Sequence, residues 1–294
     1  RIEAIDATTS NVLASITISK TNANTVTSEV LPFVATGTET IIRITDMSAA
    51  TINIDITIDN LVVISAEQAI DGEKIYQWKD LSGADNHAIQ PEAARHGVLK
   101  NNTLNFNPSV RFDGNNDYYE LPISIIDNGN PNYSIMSVQM QTSVKEAQVL
   151  YLGSTAGNRG IHHQLDGSGQ FESSWPTPGG FWAGAPVPNK PDIYTAIYNN
   201  TSGKLLRQDG LQRGTNASTN LNFLQTAGAN KLGAFPSMIN FFNGDIYEVI
   251  VYNQKAAVGN ELLRIESYLA VKYGITINQT TPQNYLASDN TIIW

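Results

Sequence analysis

Polar and apolar positions alternate along much of the chain. Ile16-Thr-Ile-Ser-Lys, Ile42-Arg-Ile-Thr and Ile52-Asn-Ile-Asp-Ile-Thr-Ile-Asp each carry Ile on every second residue. A period of two puts those side chains on one face of an extended segment, so residues 1–65 are predicted to be strands throughout. Further strands are predicted at Ser134-Ile-Met-Ser-Val-Gln-Met, Gln148-Val-Leu-Tyr-Leu, Tyr194-Thr-Ala-Ile-Tyr and Tyr247-Glu-Val-Ile-Val-Tyr. Gly, Asn and Pro separate them at the spacing of a β-sandwich. One segment changes period. Val258, Leu262, Ile265 and Leu269 recur at helical spacing, Lys272 falls in the last turn, and Gly274 stands where a left-handed cap belongs. A lone helix of this kind is expected to pack across a sheet edge. The fold class that follows is all-β with one C-terminal helix.

Composition narrows the function. Across 294 residues, 41% are hydrophobic, enough for a sizeable core, and only 15% are charged. The net charge of −9 comes with no run of Lys or Arg. Without a basic stripe to neutralise phosphates, nucleic acid is not expected as a partner. The absence of cysteine rules out disulfides, thiol catalysis and thiolate-bound zinc. No stretch of 18 apolar residues occurs, so no helical membrane span is predicted.

Composition shifts near Ser65, and four ordered blocks follow. They are Asp71-Gly-Glu-Lys-Ile-Tyr-Gln-Trp-Lys-Asp-Leu-Ser-Gly-Ala-Asp-Asn-His-Ala, Val110-Arg-Phe-Asp-Gly-Asn-Asn-Asp-Tyr, and Phe242-Asn-Gly-Asp-Ile-Tyr-Glu-Val-Ile-Val-Tyr-Asn. The last is Ile265-Glu-Ser-Tyr-Leu-Ala-Val-Lys-Tyr-Gly-Ile-Thr-Ile, running on to Asn284–Trp294. Together they resemble the laminin-G-like (concanavalin A-like) domains of large secreted Bacteroidota surface proteins, including gliding-type adhesins exported by a type IX pathway. Residues 33–64 resemble the last strands of a jelly-roll carbohydrate-binding module. The resemblance implies three parts: residues 1–65 as the truncated end of a jelly-roll-like module, 66–277 as a concanavalin A-like/laminin-G-type β-sandwich, and 278–294 as the start of a following segment. It also implies a piece of a longer secreted or cell-surface chain, whose partners are a glycan or surface ligand and other domains of the same chain. Trp78 and Phe112 are the natural core anchors, each worth about 2–3 kcal/mol when buried.

Candidate chemistry is sparse. A retaining glycosidase needs two carboxylates about 5 Å apart, and the alternate-residue pattern that supplies them on one strand is absent. Asp245 and Glu248 lie three apart on a predicted strand, which sets them on opposite faces. His162 and His163 are adjacent on a predicted strand and likewise face opposite ways, so they cannot grip one metal together. They read as surface polar residues or ligand contacts; one could also serve as the base of a lyase-like mechanism, although no Tyr/Arg/Lys block of that kind accompanies it. Asp113-Gly-Asn-Asn-Asp117 begins like an EF-hand loop, but Tyr118 stands where Gly is required and Ser124 where Glu is required, leaving a turn or, as the alternative, a calcium site of another geometry. Asp59 and Glu248 fall on strands where such sandwiches carry a structural Ca²⁺, which makes them the candidate metal ligands. The segment from Phe171 to Trp182 holds two Trp and two Phe among Pro and Gly. It is either an apolar lid or a stacking platform for sugar rings. Trp175, Trp182, His162 and His163 are therefore the candidate ligand-binding residues. The expected function is non-catalytic binding or adhesion with carbohydrate as ligand class. An architectural spacer and a polysaccharide-cleaving enzyme of the same fold are the alternatives.

Overall fold

A computed structural model of the protein describes residues 1–17, 31, 33–34, 36, 39–45, 47, 70–166, 171–174, 182–183 and 187–294, with the backbone alone for 172–174 and 182–183. It divides into two compact units, Arg1–Ala66 and Glu67–Trp294. In the first, β1 (Ile2–Asp6) pairs antiparallel with β2 (Val12–Ile16) on one side and β3 (Thr40–Ile44) on the other. Asp6 caps the turn that follows β1, accepting the Thr8 and Thr9 amides at 2.9 and 2.7 Å. The predicted strand at 52–59, with Asp59, lies outside the described residues.

The second unit is a β-sandwich. Its strands are β4 (Gln77–Trp78), β5 (Ala88–Ile89), β6 (Val98–Leu104), β7 (Asn107–Asp113), β8 (Tyr119–Glu120), β9 (Tyr133–Gln141), β10 (Ala147–Gly153), β11 (Gly160–Leu165) and β12 (Phe171–Ser174). They continue as β13 (Trp182–Ala183), β14 (Asp192–Asn199), β15 (Gly203–Gln208), β16 (Leu211–Asn216), β17 (Lys231–Leu232) and β18 (Asn243–Asn253), before α1 (Gly259–Tyr273). One sheet has the order β13-β12-β11-β10-β17-β8-β5-β4, the other β16-β15-β14-β9-β18-β7-β6. Every pairing is antiparallel.

Two apolar clusters follow from the strand period. Tyr133 and Ile135 of β9 point between the sheets and join Phe112, Tyr194, Leu150 and Phe171. Met136 and Val138, one residue out of phase, point to the outer face and meet Leu262, Leu269 and Tyr273 of α1. The helix thus lies on a sheet face, against β9, β14 and β18, rather than across an edge. Its predicted end is present: Gly274 has φ 65° and its N–H reaches the Ala270 carbonyl. Val258 is not part of the buried stripe; it caps the helix and is 65% exposed. Phe112 is fully buried and Trp78 partly so. The Asp113–Asp117 loop is a turn, with Asp113 Oδ1 accepting the Asn115 and Asn116 amides at 2.8 and 3.2 Å.

Residues 278–294, set apart in the sequence as a following segment, lie within the second unit. Tyr285 is buried in the cluster beneath α1, and Leu286 donates its N–H to Ser267 Oγ at 3.0 Å.

Candidate functional site

β18 breaks the alternation on which the sequence argument about Asp245 and Glu248 depends. Its register against β9 slips between Ile246 and Glu248. Ile246, Val249 and Val251 pack between the sheets, whereas Tyr247, Ile250 and Tyr252 pack under α1. A β-bulge at Tyr247 adds one residue to this strand. Asp245 and Glu248 therefore share the outer face, which corrects the expectation of opposite faces. They are nevertheless committed to different partners. Asp245 takes a bidentate bond from Arg111 Nε and Nη2 at 2.9 and 2.8 Å. Glu248 accepts Lys272 Nζ at 2.9 Å, Tyr273 Oη at 2.9 Å and Tyr268 Oη at 3.0 Å. An ammonium and two phenols around one carboxylate satisfy it without a metal ion and compete with one. Among the described residues, no three His, Asp or Glu side chains are grouped to hold a cation.

The histidine pair sits on β11. Ile161, His163 and Leu165 point inward, which leaves His162 and Gln164 on the outer face of the eight-stranded sheet. Neither histidine is a surface residue: His163 is completely buried and His162 is 9% exposed. Sequence could not show this, because the covering groups come from distant strands and loops.

His163 spans the interior. Its Nε2 lies 2.9 Å from Ser137 Oγ on the opposite sheet, and Ser137 donates to Gln139 Oε1 at 3.0 Å. A hydroxyl has one hydrogen, so the relay runs from His163 Nε2–H to Ser137 to Gln139. Nδ1 is then a bare acceptor with no partner. Burial penalises the imidazolium and pushes the His163 pKa down to about 3. The ring meets Phe171 edge-on at 4.6 Å, and Phe171 stacks on Tyr194 at 3.9 Å. Phe171, expected on an aromatic loop, is thus a core residue.

Alternation on β9 aligns Gln139 and Gln141 with Ser137 on the same inner row. Gln139 Nε2 and both amide atoms of Gln141 are buried without partners. Opposite Gln139 on β14 is Asp192, fully buried, which Lys190 Nζ neutralises. The same ammonium reaches Asp209 Oδ2 at 3.1 Å. Burial, with the hydrogen bond and repulsion from Asp192, pushes the Asp209 pKa up to about 6. This seam is polar but closed by its own side chains. It supplies orientation and a neutral histidine rather than an exposed acid or base.

His162 belongs to the outer face. Its ring stacks on Phe235 at 5.5 Å and meets Tyr151 edge-on at 4.9 Å, while Nδ1 lies 3.0 Å from Gln164 Oε1. Burial lowers its pKa, against the opposing hydrogen bond from Gln164. Strand register then extends the row: Gln164 pairs with Glu172, and Glu172 pairs with Trp182. At the usual strand spacing, the Trp182 backbone lies about 10 Å from that of Gln164. Trp175 lies outside the described residues. The histidine–glutamine part of this row was visible as a short polar run in the sequence. Tyr151 and Phe235 carried no such signal, since one reads as core strand and the other sits in a turn closed by the Phe235–Ile239 bridge.

Comparison with known proteins adds fold but little identity. A family model described only as a domain of unknown function (DUF8202) matches residues 261–294. No curated protein matches the sequence. Among solved structures, an arabinofuranosidase complexed with arabinofuranosyl-α-1,2-xylobiose aligns at 12% identity and TM-score 0.53, over 68% of this chain and 51% of that one. A GH54 α-L-arabinofuranosidase soaked with a cyclic sulfate inhibitor aligns at 14% identity and TM-score 0.51, again over 68% and 51%. The binding domain of Paraclostridial Mosquitocidal Protein 1 follows at 14% identity and TM-score 0.49, over 68% and 51%. The chain spans about half the length of each. The likeness to the two arabinofuranosidases is one of fold, a β-sandwich. No helix among the described residues is long and apolar enough to cross a membrane.

Proposed function

We propose that the sandwich is a non-catalytic carbohydrate-binding module that presents the β11–β13 end of its eight-stranded sheet to a glycan. The carrying observation is the register row that brings Trp182 into line with Gln164, beside His162 in its aromatic setting. An indole offers a flat apolar surface for the C–H face of a sugar ring, and the bond between His162 and Gln164 fixes the polar row beside it. The histidines fit this role better than proton transfer. Both are buried and held neutral, and His163 is sealed between the sheets. In the wider context that the sequence resemblance suggests, the module serves adhesion at a bacterial surface, with other domains of a longer secreted chain as partners.

The test is retention on immobilised plant and microbial polysaccharides, comparing the full chain with its Trp182→Ala variant. Reducing ends are assayed in the same tubes. Retention that depends on Trp182, without release of new reducing ends, is the expected result. Release of reducing ends by the full chain overturns the non-catalytic reading. Equal retention of both proteins moves the binding surface away from β13.

A further inference from the structure

The tail after α1 folds back beside the helix. Asn278 donates its N–H to the Asp209 carbonyl at 2.7 Å, and Arg264 Nη1 reaches the Ser288 carbonyl at 2.7 Å. The tail closes on itself through Ala287 N–H to Thr291 O at 2.8 Å and Tyr285 N–H to Trp294 O at 2.7 Å. Between the first turns of the helix and this tail lies an open cleft of about 590 Å³. That volume falls within the ~300–1,000 Å³ of small-molecule sites. Residues 261–294, the span matched by the family of unknown function, supply most of its wall.

The lining chemistry narrows the occupant. Asn260, Gln283, Asn284 and Asn290 contribute four carboxamides, and none of their side chains bonds another described residue. Among the described residues, the charged ones lining it are Arg207 and Glu266, which neutralise each other through bonds of 2.8 and 2.9 Å. Leu263 and Ile292 add apolar surface. A net anion or cation would meet no free counter-charge here, and an apolar ligand would strand the amides without partners. A sugar hydroxyl donates and accepts at once, as a carboxamide does, and the ring's C–H face suits the aliphatic surface.

We propose that this cleft is a second binding site, selective for a neutral, hydroxyl-rich ligand of short-oligosaccharide size. It is separate from the sheet edge, and either site can stand without the other.

The experiment titrates cellobiose, xylobiose, lactose and maltose, with digalacturonate as the charged comparison, into the full chain labelled at its Asn and Gln side-chain amides. Millimolar binding of at least one neutral disaccharide is expected to shift the Asn260, Gln283, Asn284 and Asn290 signals. Shifts at Gln164 instead report the sheet edge, so the two sites fail independently. The exposed pair Asn260→Ala/Asn284→Ala removes two hydrogen-bonding groups and should weaken cleft binding about 10-fold. Silence of the four cleft amides with every neutral probe overturns the proposal, as does preference for digalacturonate or undiminished affinity in the folded double variant.

Discussion

Acid should weaken the sandwich through one buried ring. In the unfolded chain His163 takes a proton near pH 6.5, while in the folded protein burial holds its pKa at about 3. Below pH 6.5 the unfolded state therefore binds a proton that the folded state refuses, and stability falls with pH until the folded value is reached. At about pH 5 the loss from this group is about 2 kcal/mol, and it approaches about 5 kcal/mol near pH 3. For a domain of this size, 2 kcal/mol corresponds to a fall in Tm of about 4–8 °C. His163→Gln retains an amide that can donate toward Ser137 but removes the titration. Thermal melts of both proteins at pH 7 and pH 5 isolate the effect. Other groups titrate in the same window, among them Asp117 and Asp209, each pushed up to about 6 and so opposing the loss. Those groups are common to both proteins and cancel in the comparison. The wild-type protein should lose about 4–8 °C more than the variant on acidification. Equal losses would refute the assignment of a neutral, sealed His163.

Three further perturbations probe the outer face of the other sheet. Arg207→Leu leaves Glu266, fully buried, without its cation and should cost about 3–5 kcal/mol; chemical denaturation should show the double variant Arg207→Leu/Glu266→Met recovering part of the loss. Glu248→Gln replaces the charge that holds Lys272, Tyr268 and Tyr273 to β18 and should cost about 1–3 kcal/mol. The cost of Glu248→Gln should be the same with calcium or with chelator, because the ammonium already occupies the carboxylate. Gly210→Ala should lower stability by about 2–4 kcal/mol in the same denaturation assay, since Gly210 has φ 74° and an added Cβ would stand 2.2 Å from Ile277 Cγ2.

The sequence showed most of what depends on local period. The helix and its Gly274 cap, the strands around Ile135, Val149, Ile197 and Val249, and the turn at Asp113–Asp117 are all carried by spacing within a few residues. What it hid depends on register and on contacts between distant segments. The bulge at Tyr247 adds one residue to β18, and no local signal marks it; yet it carries Glu248 to the same face as Asp245. The alternation of His162 and His163 was legible, but their burial was not, because Ser137, Phe171 and Phe235 meet them from other parts of the chain. The helix was visible and its place was not: an amphipathic stripe says that a face is covered, without saying whether the cover is a sheet edge or the middle of a sheet. Residues 278–294 show the same limit, since their docking rests on Ser267 and on the carbonyl of Asp209.

The central claim is that the β11–β13 edge binds sugar and leaves it intact. A glycan array probed in parallel with the full chain and with Trp182→Ala tests it most directly. Selective binding to a restricted set of glycans, lost in the folded variant, is the predicted result. Full-chain protein that is folded and binds no glycan, or a variant with an unchanged profile, would contradict it.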